Sequence, residues 1–293
     1  MIEGIFVEGL IYGIMALGVF MTFRVLNFPD LTVDGSFPMG AVIMAMALTA
    51  EMSVLSGLLL AFAGGILAGF VTATIHNKLR VPHLLAGILT MTMLYSVNIR
   101  ILNNRANLPL LRVDTVMTHV SGFARGLLPE SYAYLLFFIA VVMALKIALD
   151  LFFVTDMGLT MGAMGGNEQM VIVQGVNPEV LKLIGVGLSN GLVAVSGAFA
   201  AQYQGFADVN LGQGIVITGL ASVMIGEFFI KSTRIGWLTF RVILGAVVFK
   251  AIMYLGRYYG YYIHMTPNDL KLIAGILIIV SLAVANYKSK KAA

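Results

Sequence analysis

Nine long apolar runs leave this chain few ways to fold; they lie at roughly 4–23, 33–50, 54–76, 84–100, 131–154, 181–203, 214–230, 236–256 and 270–287. A helix needs about 20 apolar residues to cross the hydrocarbon core of a bilayer, and most of these runs approach that length. In lipid every backbone N–H and C=O must be satisfied within the spanning element, which admits only helices and closed barrels. A barrel would show short alternating segments rather than continuous runs. Only 11% of the 293 residues are charged, against about 25% in a soluble domain. The fold class expected is an all-α polytopic membrane protein of about 8–10 transmembrane helices, one transmembrane domain over 1–293. The second and seventh runs are short and glycine-rich, so they are expected to enter the membrane as broken helices.

The same sequence removes several function classes. Cysteine is absent, which excludes disulfides, thiolate metal sites and cysteine nucleophiles. The four histidines, His76, His83, His119 and His264, each stand near the end of an apolar run and make a poor metal triad. No H-E-x-x-H and no cysteine nucleophile occurs, so no catalytic residue, metal or cofactor is expected. No G-x-x-x-x-G-K-[ST] occurs either, so any nucleotide chemistry must come from another chain. The formal charge of +4 reflects basic loops rather than nucleic-acid binding. MIEGIFVEGL lacks the basic start and small-residue cleavage site of a signal peptide and reads as the beginning of the first span. The basic segments HNKLRVPH, IKSTRIG and YKSKKAA are expected in the cytoplasm, which places the N-terminus outside and 155–180 inside.

An internal repeat organises the chain. GLIYGIMA (9–16) aligns without a gap to GLSNGLVA (187–194), sharing two glycines, a leucine and an alanine. Continued in the same alignment, NFPDLTV (27–33) falls on GFADVNL (205–211), and further on LLAGIL (84–89) matches LIAGIL (272–277). Segments one to four (about 4–100) then correspond to six to nine (about 181–287), with 131–154 as a bridge and 155–180 as a cytoplasmic loop. An odd number of crossings separates the partners, so the halves are inverted. Inverted repeats with short, Gly/Pro-interrupted segments at matching positions are typical of transporters, and those segments point to the substrate path.

The stretch VLNFPDLTVDGSFPMG (25–40) and its counterpart GFADVNLGQG (205–214) are therefore matched break points. Asn27, Asp30, Asp34 and Ser36 in the first, and Asp208 in the second, are candidates to line the path. A lone carboxylate at the bilayer centre costs about 3 kcal/mol or more, so two readings stand together. The aspartates cap half-helix ends by accepting from free backbone N–H groups, or they face water in a pathway where unwound backbone is tolerated. Asn98 at the end of segment four, and Asn190 and Gln202 in segment six, are further path candidates or interhelical hydrogen-bonding residues. Glu227 is expected to pair with Lys231 or Arg234. In 155–180, NEQMVIVQ is helix-capable with Asn167 as N-cap, Gly165 and Gly166 breaking the chain before it and Gly175 with Pro178 ending it. Such a short helix needs a partner surface, either the membrane interface or a docked cytoplasmic protein.

The spacing A-x-G-x-N…G-x-N, carried by Ala163, Gly165, Asn167, Gly175 and Asn177, resembles the coupling region of bacterial ABC importer permeases. Together with RVLNFPDLTVDGSFPMGA, GLSNGLVAVSGAFAAQYQGFADVNLGQG and GLASVMIGE it is similar to the branched-chain amino-acid and ribose type permease superfamily, over nearly the whole chain. The resemblance implies a multi-pass protein of the bacterial inner membrane that forms the translocation path for a small solute such as an amino acid. It implies three partners: a cytoplasmic ABC ATPase contacting Ala163, Gly165, Asn167, Glu168, Gly175 and Asn177, an extracytoplasmic substrate-binding protein reaching loops 101–130 and 204–213, and a second permease copy, identical or paralogous. The residues alone also fit an ion-coupled secondary transporter using Asp30, Asp34 and Asp208.

Overall fold

A computed structural model describes residues 2–260 except 112 and 126–128, and four isolated positions beyond 260. In chain order it contains α1 (Ile2–Phe20), continued by a π-helical turn Met21–Val25, then α2 (Val33–Thr49), α3 (Val54–Leu79), α4 (His83–Ile101), β1 (Asn107–Pro109), α5 (Val116–Ala124), α6 (Glu130–Val154), α7 (Asp156–Gly166), α8 (Glu168–Val173), α9 (Pro178–Gln204), β2 (Phe206–Asp208), a 3₁₀ turn Val209–Gly212, α10 (Ile215–Phe229) and α11 (Ile235–Gly260). Seven of these helical stretches are long and apolar enough to cross a membrane, and α2 is a shorter apolar helix beside them. Eight of the nine expected segments thus appear within a few residues of their expected ends. The ninth, 270–287, which holds the repeat match LIAGIL, lies outside the described residues except for those four positions.

Helices α1 and α9 form the buried spine. They run antiparallel: Ser196 Oγ donates to Ile11 O at 2.7 Å and Ser189 Oγ donates to Gly18 O at 2.7 Å, while Gly4 meets Tyr203 at the far end. Each spine helix packs a second long helix through its repeat-matched glycines. Gly9 and Gly13 of α1 face Val247, Ile243 and Ala246 of α11, and Gly187 and Gly191 of α9 face Phe70, Ile66 and Phe62 of α3. Without lipid-side hydrophobic drive, small residues that let backbones approach are what hold membrane helices together. Helix α6 lies outermost, with Leu136, Ile147 and Leu151 more than half exposed, as a lipid-facing helix requires.

The polar stretches carry more structure than the sequence announces. The stretch 101–130 contains β1 and α5, and β1 pairs antiparallel with β2, Leu108 opposite Ala207. In 155–180 the first half is helical too. Gly165 and Gly166 do not break the chain; α7 runs through both and the break falls at Asn167, which has extended backbone (φ −157°). Packing overrides the low helix propensity of TDMGLTMGAMGG. Thr155 caps α7 through Gly158 N, and Gly158 and Gly165 sit so closely on Phe152–Phe153 and Val25 that no side chain fits.

Candidate functional site

The first break begins where α1 widens into its π turn and Asn27 takes a left-handed φ of +50°. Pro29 cannot donate a backbone hydrogen bond, which favours unwinding at this point. Asp30 then folds back: its Oδ1 accepts from Thr32 N at 2.8 Å and its Oδ2 accepts from Asn190 Nδ2 at 2.7 Å. Asn190 is fully used, since Ser36 Oγ lies 2.5 Å from its Oδ1 and its Nδ2 also reaches Val186 O at 2.9 Å. Thr32 Oγ1 and Thr72 Oγ1 share a hydrogen bond of 2.6 Å. All of these side chains are buried, so the break is braced at once by α3 and α9.

The second break repeats the local geometry. Asp208 Oδ1 accepts from Asn210 N at 2.7 Å, the same two-residue reach that Asp30 makes to Thr32. Gly205 (φ +78°) and Gly214 (φ +79°) bound it. The two breaks meet through Asp34, which does not cap its own helix. Its Oδ2 accepts from Gly214 N at 3.0 Å and its Oδ1 from Val216 N at 2.8 Å, so it caps α10. Pro38 cannot donate to the carbonyl four residues before it, and Gly212 packs against that Asp34 carbonyl so closely that only glycine fits. A cavity of about 390 Å³ lies at this junction, lined by Asp34, Asn98, Asn210, Gln213, Met91 and Tyr95 among others. Asn98 Nδ2 donates to Gly35 O at 3.2 Å, while its buried Oδ1 has no partner among the described residues.

The model of the family described as branched-chain amino acid transport system, permease component, matches residues 1–282. This chain belongs to that family. It is 38% identical to the tyrosine transport system permease protein of Clostridioides difficile (strain R20291), over 97% of this chain and 91% of that protein. It is 29% identical to an uncharacterized protein of Rickettsia prowazekii (strain Madrid E), over 92% of each. The fold is shared with PsaBC from Streptococcus pneumoniae in complex with Fab, at a TM-score of 0.54 and 14% identity, covering 94% of this chain and 89% of that one. It is also shared with an inward-facing putative metal-chelate type ABC transporter, at a TM-score of 0.51 and 15% identity, covering 98% and 86%. The protein is thus a permease subunit of an ABC transporter, a transport component of the inner membrane and not an enzyme, and an ATPase and a substrate-binding protein are its partners by family. ATP-driven transport replaces the ion-coupled reading that the aspartates alone left open.

Of the path candidates, the permease brings Asp34 and Asn98 to the cavity, with Asp30, Ser36 and Asn190 forming the hydrogen-bonded brace next to it. Three lie elsewhere. Asn27 is exposed in the turn after α1; Gln202 accepts from Val116 N at 2.9 Å and so fastens α5; and Asp208 is at the outer ladder, accepting from Asn107 Nδ2 at 3.2 Å. In the loop, Asn167 caps α8 through Met170 N at 3.3 Å, Asn177 caps α9 through Glu179 N at 2.9 Å, and Gly175 turns the chain between them at φ +83°. Ala163, Asn167 and Glu168 are exposed, and so are Met170, Ile172 and Val173 on the apolar side of α8, Val173 to 85%.

A cluster the sequence reading passed over joins this loop to the first break. Glu168 of α8 pairs with Lys182 of α9 at 2.7 Å, and Lys182 Nζ lies 3.5 Å from His76 Nε2. The rings of His76 and His83 stand 5.1 Å apart, with Phe28 of the break at 5.3 and 5.1 Å from them. The signal was the pair of histidines framing the short basic loop HNKLRVPH, which had been weighed only as metal ligands. Glu227 departs from expectation as well: its Oε1 takes Arg24 and Arg241, each at 2.9 Å, rather than the cations of its own connecting segment. Those partners come from α1 and α11 and are distant in sequence.

Proposed function

We propose that the junction of the two breaks is the solute path and that the solute is an amino acid, with the aromatic amino acids as the class to test first. The carrying observation is Asp34: a single carboxylate of the first break holds the start of α10 in the second, beside a cavity whose wall also offers the unpartnered Asn98 Oδ1. Each carboxylate oxygen that accepts one backbone N–H keeps further acceptor capacity, so this wall is rich in acceptors for an α-ammonium group. The similarity to a tyrosine transport permease supports the aromatic class, and Tyr95 and Met91 on α4 supply an apolar wall for a ring. Helix α4 exposes Thr92, Tyr95 and Ser96 on the same face, and a second permease copy is assigned to cover it.

In this reading the ATPase docks on 163–177, and its closure reaches the break by two contacts. One is Gly165 against Val25 at the end of α1; the other is Glu168 through Lys182 to the His76–His83–Phe28 cluster. Motion of the loop then shifts Asp30 and Asp34 together, and the two halves rock about their junction in alternating access. The reading is tested in proteoliposomes carrying the permease, its ATPase and its binding protein. ATP-dependent tyrosine uptake, competed by other aromatic amino acids, is the expected result; uptake of a different solute without such competition overturns the substrate class. Deleting 163–177 is expected to leave an inserted dimer that no longer co-purifies with the ATPase, and retained co-purification overturns the docking assignment.

A further inference from the structure

A second pocket, of about 480 Å³, opens at the end of the molecule where α1 finishes and α11 begins. Its polar side holds Arg24, Arg241, Ser232 and Thr233; its apolar side is built by Phe20, Phe153 and Leu238. Two guanidinium groups share one carboxylate oxygen here, Glu227 Oε1, so one positive charge stays uncompensated within the pocket. Asp150 does not supply the balance, because it is paired with Lys146 and accepts from Thr239 Oγ1 at 2.6 Å. Lys231 and Arg234 in the adjoining segment add to the excess.

Arg241 is the decisive residue. It is 7% exposed, yet its Nε has no hydrogen-bond partner among the described residues. A buried charged donor left unmade costs about 1–3 kcal/mol or more, and a phosphate oxygen is the acceptor that guanidinium geometry favours. The position along the helix identifies the form of the phosphate. Arg241 lies six residues into α11, about 9 Å from its start at 1.5 Å per residue, so it belongs to the end of a candidate membrane span rather than to its middle. Trp237, next in sequence to the pocket-lining Leu238, is 50% exposed, as an interfacial aromatic is. Basic pockets between transmembrane helices are where anionic headgroups bind.

We infer that this pocket is a binding site for the phosphate of an anionic phospholipid, with Arg24, Arg241, Ser232 and Thr233 as donors and the Phe20–Phe153 wall taking the upper acyl chain. Gly158, Leu159 and Gly162 of α7 also line it, so the bound lipid ties the coupling loop to α11. The site stands on its charges and walls and is independent of which solute the permease carries.

The chain has one tryptophan, Trp237, next in sequence to Leu238 of the pocket wall, and it serves as the nearby reporter. The full-length protein in nanodiscs of phosphatidylcholine is doped with either brominated phosphatidylglycerol or brominated phosphatidylcholine, and quenching is titrated. Half-quenching is expected at a mole fraction about fivefold lower for the anionic lipid. The Arg24→Gln and Arg241→Gln variants are expected to bring the two curves together. Arg24 is the safer of the two, its side chain being 58% exposed, and size-exclusion profiles verify folding. Equal curves in the unmodified protein, or a preference that survives a folded Arg24→Gln, overturn the site. Relief of phosphatidylglycerol quenching by low-millimolar inorganic phosphate overturns the lipid assignment in favour of a soluble phosphate.

Discussion

The two breaks share a local design and differ in what surrounds it. In each, an aspartate two residues before an N–H holds the turn, Asp30 to Thr32 and Asp208 to Asn210. Asp30 is 4% exposed and its second oxygen belongs to Asn190 of the opposite half. Asp208 sits at the outer edge, backed by a three-residue ladder to β1. The first break is therefore braced by buried side chains of the core, and the second by backbone pairing to β1 with its aspartate only partly covered, with Asp34 linking them. A backbone interruption inside a membrane survives where protein groups satisfy it, and the two halves meet that requirement differently: side chains in one, a strand and a borrowed carboxylate in the other.

The brace gives the largest expected effect. Asn190→Leu strips the partner from a buried carboxylate and from Ser36 at once, and each buried polar group left unsatisfied costs about 1–3 kcal/mol, more for a charged one. The expected outcome is loss of the monodisperse folded protein, read by size exclusion after mild heating in detergent. A variant that survives heating like the parent would show that Asp30 is not held by the opposite half.

Next come the glycines that the repeat matches. A methyl at Gly9 would stand 2.7 Å from the Val247 backbone, which cannot yield, whereas at Gly187 it would meet the Phe70 ring, which can turn. Overpacking of this kind costs about 1–3 kcal/mol, so Gly9→Ala is expected to lower the melting temperature more than Gly187→Ala. At Gly13 the nearest atom would be 3.6 Å away, ordinary contact, and Gly13→Ala is expected to be neutral. The reverse order between Gly9 and Gly187 would break this contrast between an unyielding backbone and a ring that can turn.

Asp34→Ala removes the cap of α10, an effect of about 1 kcal/mol and up to 2 on stability. Asp34→Asn keeps an accepting oxygen for one of the two N–H groups and is expected to retain most of the stability. Uptake is expected to fall in both, because the charge is lost from the cavity wall. Normal transport by a folded Asp34→Asn protein would leave the carboxylate a cap alone.

What the sequence disclosed and what it hid follow from the same physics. The spans were legible because lipid forces long apolar runs. Asn167 was legible as a cap because capping is local, whereas the cap that Asn177 makes on α9 appears only in the structure. The role of Asp34 was not legible, since its N–H partners are 180 residues and more away, and no local rule points to them. Helix α7 was hidden for a related reason. Its glycines lower helix propensity, yet Gly165 is needed for close approach to Val25, so tertiary contact decides the element. The His76–His83–Phe28 cluster depends equally on contacts between distant segments.

The smallest expected effect sharpens the comparison from the other side. Asn107 Nδ2 donates to Asp208 Oδ2 at 3.2 Å on an exposed surface, formally the counterpart of the Asn190–Asp30 bond. Water replaces such a donor without penalty, and Asp208 keeps its own turn through Asn210 N. Asn107→Ala is therefore expected to change stability by no more than about 0.5 kcal/mol, a shift near the resolution of a thermal scan. Measured beside Asn190→Leu, it separates two explanations of why an asparagine faces an aspartate in each half. If the bond itself matters, both variants fail; if burial sets its worth, only the core variant does. The accessibility of Asp208, against the enclosure of Asp30, places the expectation on burial.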